Sequence, residues 1–156
     1  MTVKLIAVTG PRDPPSRAER LVQDWVNNLT KQTVVYHGDA RGVDAMARDF
    51  AKDRGLKTVP VRPNYNKFAG SIAPLVRNAE MVSQVDEVVG FWHGQPFGGT
   101  LNTLWVAHKL GKQPSWILID DVDEFHAEAT FRRTCAYPQD HWLEAFRIWE
   151  RSKSAV

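Results

Sequence analysis

The chain has 156 residues, 43% apolar and 24% charged, with a single cysteine and 20 Lys plus Arg against 18 Asp plus Glu. That length suits one domain able to bury roughly 70% of its unfolded surface without a staple, and Cys135 alone excludes an intramolecular disulfide. A near-balanced charge without a basic run argues against a dedicated electrostatic DNA binder, and no apolar run is long enough for a signal peptide or a membrane span, so a cytoplasmic protein without membrane partners is expected.

Taken in chain order, Val3 to Thr9 is a short apolar run broken by Gly10-Pro11, which reads as a buried strand feeding a loop. Ser16 opens a helix with capping-box spacing to Glu19, and Ala18, Leu21, Val22, Trp25, Val26 and Leu29 follow the helical repeat. Thr33 to Tyr36 is a second strand ended by His37-Gly38. Val43, Met46, Ala47, Phe50 and Ala51 share one face of a second helix stopped by Gly55. Lys57 to Val61 is a third strand. After a long loop come a helix over Ala73 to Val82, a strand over Asp86 to Trp92, and a helix from Thr100 with Leu101, Leu104, Trp105 and His108 on one stripe. Trp116 to Ile119 makes a fifth strand, and Asp140 heads a helix carrying Trp142, Leu143, Phe146 and Trp149. Five alternations of strand and helix imply parallel strands with right-handed crossovers, a doubly wound α/β sandwich whose ligands bind beyond the carboxyl ends of its strands.

Three loops at those ends concentrate glycine and charge: Gly10-Pro11-Arg12-Asp13, His37 to Asp44, and Gly98-Gly99-Thr100. A helix start leaves four N–H groups unpaired with about half a positive charge, and glycine admits an anion to that backbone. Two such cradles on one edge suit a nucleotide. Arg12, Arg41 and Arg77 are candidate bidentate partners for phosphate, while Phe91, Trp92 and Phe97 are candidate stacking faces. Each has a plainer reading. Strand-end glycines serve tight turns, Arg12 pairs with Asp13 at the surface, Asp44 answers the helix dipole, and His37 and His93 are structural hydrogen-bonders. Gly38 to Gly42 lacks the dinucleotide G-x-G-x-x-G spacing and there is no Walker lysine; His37 and His93 lack further ligands for a metal, so neither cofactor nor metal is expected.

Together, Val8 to Asp13, His37 to Asp44, Arg77-Asn78 and Gly98-Gly99-Thr100 resemble the SLOG superfamily, in its YspA/YpsA-related branch, over residues 3–119. The resemblance implies a Rossmann-like three-layer sandwich with a mainly parallel five-stranded sheet. It also implies a nucleotide-derived ligand held at the loops, by Gly10, Arg12, Asp13, His37, Gly38, Arg41, Gly42 and Asp44 on the first two, and by Asn78, Gly98, Gly99, Thr100 and Asn102 on the far side. Some members sense nucleotide signals in bacterial immunity or phage conflict. In the LOG phosphoribohydrolases of the superfamily, a Gly-Gly-x-Gly-Thr loop precedes two Glu residues and an Arg on the preceding helix completes the site. Arg77 resembles that Arg and Gly99-Thr100 that loop, but Asn102 and Thr103 stand where the Glu pair would be. Asn102 can hydrogen-bond a ribose hydroxyl, yet it neither takes a proton at neutral pH nor neutralises an oxocarbenium-like centre. Arg77 and Asp39 are then the candidate catalytic residues, with Asp13 and Asp44 as further carboxylates. Three functions follow, in order: a non-catalytic sensor or sequestering protein for a nucleotide-derived ligand, a LOG-type nucleoside monophosphate phosphoribohydrolase or N-glycosidase, and DprA-like single-stranded DNA binding. Residues 1–119 are expected to form the nucleotide-binding domain, with 120–156 a helical extension packed on it or on a partner subunit of a homo-oligomer.

Overall fold

The computed structural model describes residues 2–94, 98–120 and 123–154. Five strands, β1 (Lys4–Thr9), β2 (Thr33–His37), β3 (Lys57–Pro60), β4 (Glu87–Trp92) and β5 (Pro114–Leu118), alternate with α1 (Ala18–Asn27), α2 (Val43–Asp53), α3 (Ala73–Ser83) and α4 (Gly99–Lys109). The chain closes with α5 (Glu124–Ala136) and α6 (Asp140–Ser154). All strands are parallel in the order β3-β2-β1-β4-β5, a Rossmann-like sheet. The chain steps outward from β1 through β2 to β3, then returns through α3 to lay β4 on the other side of β1. The strand order therefore reverses between β1 and β4, and a crevice opens there at the carboxyl ends.

Successive strand residues point to opposite faces, which divides the core in two. Val8, Val35 and Phe91 meet Ala18, Val22 and Val26 of α1 and Val43, Ala47 and Ala51 of α2. Ala7, Val88 and Trp92 meet α3 and α4 on the other side. Trp142, Ala145 and Trp149 of α6 join that second cluster, so the apolar stripe of the last helix is covered by α3 and α4 of its own chain. Trp149 Nε1 also donates to Glu80 Oε2 at 2.8 Å.

Several local expectations change. α1 begins at Ala18, and Ser16 does not cap it: the carbonyls of Pro15 and Ser16 accept from Ala18 N and Glu19 N in a turn that does the work of a side-chain cap. His108 is exposed rather than part of the buried stripe of α4, which is enclosed from Thr100 to Ala107 by the sheet and its neighbouring helices. Helix α5 goes unseen in the sequence because only Ala127 and Phe131 are buried in it, leaving no clear apolar stripe. It is capped by Asp123, whose carboxylate accepts from His126 N at 2.7 Å. No helix among the described residues is long and apolar enough to cross a membrane.

Candidate functional site

The first loop leaves β1 at Thr9 and crosses the start of α2, where Val43 N donates to Pro11 O at 3.1 Å. Two glycines permit that crossing. A Cβ on Gly10 would lie 2.6 Å from Val43 Cβ, and one on Gly42, whose φ is +81°, would lie 2.4 Å from the carbonyl oxygens of both Pro11 and Arg12. Gly42 thus serves the contact between the two loops and does not line the cleft. Asp13 pairs with Arg41 of the second loop (3.1 Å) instead of with Arg12, and this ion pair holds the Asp13 carboxyl below its ordinary value.

The second loop folds around its own carboxylate. Asp44, in the first turn of α2, accepts from Gly38 N at 2.9 Å and Ala40 N at 3.4 Å, so it fills the anion position that the sequence suggests for a phosphate. Burial pushes its carboxyl up to about 6, against the opposing pull of those N–H groups and of Arg77. Asp39 behaves differently. It adopts a left-handed backbone (φ 59°) and its carboxylate is bridged by Arg62 at 2.7 Å and Arg48 at 3.7 Å. The hydrogen bond from Arg62 keeps the carboxyl well below the usual range, which makes Asp39 an anchor for arginines rather than a proton acceptor.

From the opposite wall, Arg77 on α3 donates from Nε to Asn78 Oδ1 at 2.8 Å and from Nη1 to the carbonyls of Gly38 and Val61. These bonds carry the guanidinium across to the β2 loop. Gly38 leaves room for it, since a Cβ there would stand 2.7 Å from Arg77 Nη1 and 3.1 Å from Asp44 Oδ2. Gly98 (φ +69°) and Gly99 lead into α4, and a Cβ on either meets no described atom within 4 Å.

These elements enclose a cleft of about 480 Å³ at the β1/β4 crevice. It gathers Gly10, Arg12, Asp13, Gly38, Asp44, Arg77, Asn78 and Gly98 to Thr100, over an apolar floor of Val8, Met81 and Phe91. Five expected ligand residues stay out of it: Gly42, at the loop contact described above, and Trp92, Asn102, His37 and Arg41. Trp92 is 1% exposed on the face opposite Phe91, stacked on Trp116 at 5.4 Å with Nε1 donating to Gly94 O, because adjacent strand residues alternate. Asn102 is also 1% exposed and accepts from Asn78 Nδ2 at 2.9 Å beneath the cleft floor. His37, buried below α2, accepts at Nδ1 from Asp39 N (3.1 Å), which places its ring proton on Nε2; burial lowers its pKa. Arg41 and Asp39 line a neighbouring chamber. Phe97 lies outside the described residues.

Sequence reasoning missed Met81, although it stands one helical turn after Arg77 on the same face. It also passed over Arg62, beyond the end of β3, and Asp120, beyond the end of β5. Asp120 accepts from Gly94 N (2.8 Å) and pairs with His93 Nδ1 (3.1 Å) at the rim. The carboxyl-end rule applied to every strand would have found both.

Residues 5–68 match the sequence model of the YspA, cpYpsA-related SLOG family. Over that segment the chain resembles the SLOG family. The matched segment holds the first two of the three loops, while Arg77 and Gly98 to Thr100 join them only through the fold. Among solved structures, DNA processing protein A (DprA) from Streptococcus pneumoniae superposes with a TM-score of 0.68 at 16% identity. That match covers 87% of this chain and spans 57% of DprA. The protein TM1055 superposes with a TM-score of 0.59 at 20% identity, covering 71% of this chain and 72% of that one. At such identities the likeness is one of fold. No curated protein matches this chain in sequence.

Proposed function

We propose that this chain binds a nucleotide-derived small molecule in the β1/β4 cleft, as a sensor or sequestering protein. One observation carries the reading: the open start of α4 at Gly98-Gly99 faces Arg12 and Arg77 across a floor formed by Val8, Met81 and Phe91. The helix start and the arginines suit phosphate, and the apolar floor suits a base. Thermal-shift and calorimetric titrations with nucleoside mono-, di- and triphosphates and cyclic nucleotides test it. A rise in melting temperature with at least one class, lost in Arg77→Ala, is expected; flat curves across the panel overturn it.

A hydrolytic reading rests on Asp44. Among the described residues it is the one buried carboxylate, it lines the cleft, and its carboxyl lies at about 6, close to where a general acid or base works at neutral pH. Release of free base from AMP or GMP, abolished in Asp44→Asn, supports this reading, and absence of base at high protein concentration removes it. The DprA-like fold motivates including a single-stranded oligonucleotide, whose binding should weaken steeply with salt if it uses the phosphate backbone.

A further inference from the structure

Helix α5 has two apolar faces. One is turned inward: Ala127 and Phe131 are buried, and the Phe131 ring packs against Trp116 at 5.3 Å and His108 at 6.1 Å. The other is turned to solvent, where Phe125, Ala129, Arg132 and Ala136 follow the i, i+4, i+7, i+11 spacing of one helical stripe and are all exposed. Phe125 is 83% exposed, the most of any large apolar side chain among the described residues. The stripe of α6 is covered by α3 and α4 of its own chain, and this one is not.

The charges on α5 indicate what fits there. Its first half carries Glu124 and Glu128, its second half Arg132 and Arg133. A second copy of the helix laid antiparallel puts each acidic half on a basic half, whereas a parallel copy sets like against like. A two-fold axis at the level of Thr130 brings Phe125 of one copy over Ala136 of the other and sets the two Ala129 methyl groups together, small enough for the helices to approach closely. It also places Glu128 of each copy beside Arg132 of the other. These two side chains already pair within the helix at 2.7 Å, so the contact closes a ring of four alternating charges.

We infer that the exposed face of α5 is a self-association surface, which docks antiparallel on α5 of a second copy of this chain. The inference stands apart from what the cleft binds. A helix of 13 residues is about 20 Å long, so the contact buries less than the roughly 800 Å² per partner of a standard interface. The dimer is therefore a reversible one that dissociates in the micromolar range.

Sedimentation velocity on the full chain from about 1 to about 500 μM tests it. A dimer whose fraction rises with concentration is expected, and Phe125→Glu should weaken it about tenfold or more. Glu128→Arg and Arg132→Glu should each weaken it too, since each sets like charges together. An equimolar mixture of those two variants should nevertheless associate, because each supplies the charge that the other lacks. A role confined to the ion pair within one helix gives no such rescue. Unchanged melting temperatures for the three variants, all at exposed positions, separate loss of contact from loss of fold. A chain that stays monomeric across the range leaves the face to a different partner and overturns the inference. A dimer indifferent to Phe125→Glu, or a mixture that fails to associate, overturns it as well.

Discussion

Asn78 Nδ2 donates to Asn102 Oδ1 at 2.9 Å, both side chains buried, and so ties α3 to α4 directly beneath the cleft. The same Asn78 accepts from Arg77 Nε at 2.8 Å through Oδ1, so the pair also steadies the guanidinium above it. Position 102, where the LOG pattern has a carboxylate, is here a structural tie turned away from the ligand space.

Asn102→Ala should therefore destabilise the fold, since it strands the Asn78 amide in a dry site at a cost of about 1–3 kcal/mol. Urea denaturation would show a lower midpoint with an unchanged slope. Asn102→Glu should be worse than Asn102→Ala and should not produce base release, because its carboxylate would be buried beneath the floor. An active, stable glutamate variant would contradict this placement.

Two neighbouring glycines should respond differently to alanine. At Gly42 the new Cβ meets backbone oxygens at 2.4 Å and the left-handed φ strains any side chain, so Gly42→Ala should cost more than about 2 kcal/mol. At Gly38 the Cβ meets the far end of Arg77, which can swing away. Gly38→Ala should lower the melting temperature less than Gly42→Ala does, the cost being the Arg77 bonds to the Gly38 and Val61 carbonyls, yet weaken nucleotide binding as much as Arg77→Ala does. Parallel thermal melts and titrations of the two variants separate these outcomes.

The pH dependence of stability should carry the mark of Asp44. Its carboxyl rises from 3.8 in the unfolded chain to about 6 in the native state, so the folded protein binds that proton more tightly. The stabilisation is fully present below pH 3.8 and lost as pH rises through about 6, a change of about 3 kcal/mol. His37 acts oppositely: burial lowers its pKa beneath 6.5, and its contribution, present above that pH, is lost on acidification. The difference in unfolding free energy between wild type and Asp44→Asn isolates the carboxylate. That difference should shrink with rising pH across the window from 3.8 to about 6, and a flat difference would contradict the burial argument.

The last helix should prove integral to the fold. Trp142 is 1% exposed and packs on Trp105 at 5.8 Å, so Trp142→Ala should cost about 3–5 kcal/mol by chemical denaturation. Removing residues 138–156 should uncover the α3 and α4 surface and cause aggregation, seen as early elution in size-exclusion chromatography. A monomeric truncation with the parent melting temperature would refute this.

Much of the architecture is legible in the chain because it is written locally. Apolar runs ending at Gly10, Gly38 and Trp92, and helical repeats stopped by Gly55 and Gly111, set the alternation that yields five parallel strands, and the first two loop motifs carry the resemblance to the SLOG family. The six tryptophans also announce a large aromatic core. Which way each residue faces is not local. Trp92 and Phe91 differ by one position in β4, and only the pairing of β4 with β1 and β5 decides that Phe91 packs against Trp25 of α1 and Trp92 against Trp116 on the opposite face. Likewise, sequence places Asp39 and Asp44 five residues apart in one loop, with Asp39 the candidate catalytic carboxylate and Asp44 answering the helix dipole. The fold buries Asp44 among N–H groups and delivers Arg48 and Arg62, from a helix and another strand end, to Asp39. Charge state depends on burial and on partners distant in sequence, so the proton chemistry of this site belongs to the tertiary structure, while the existence and order of its loops belong to the sequence.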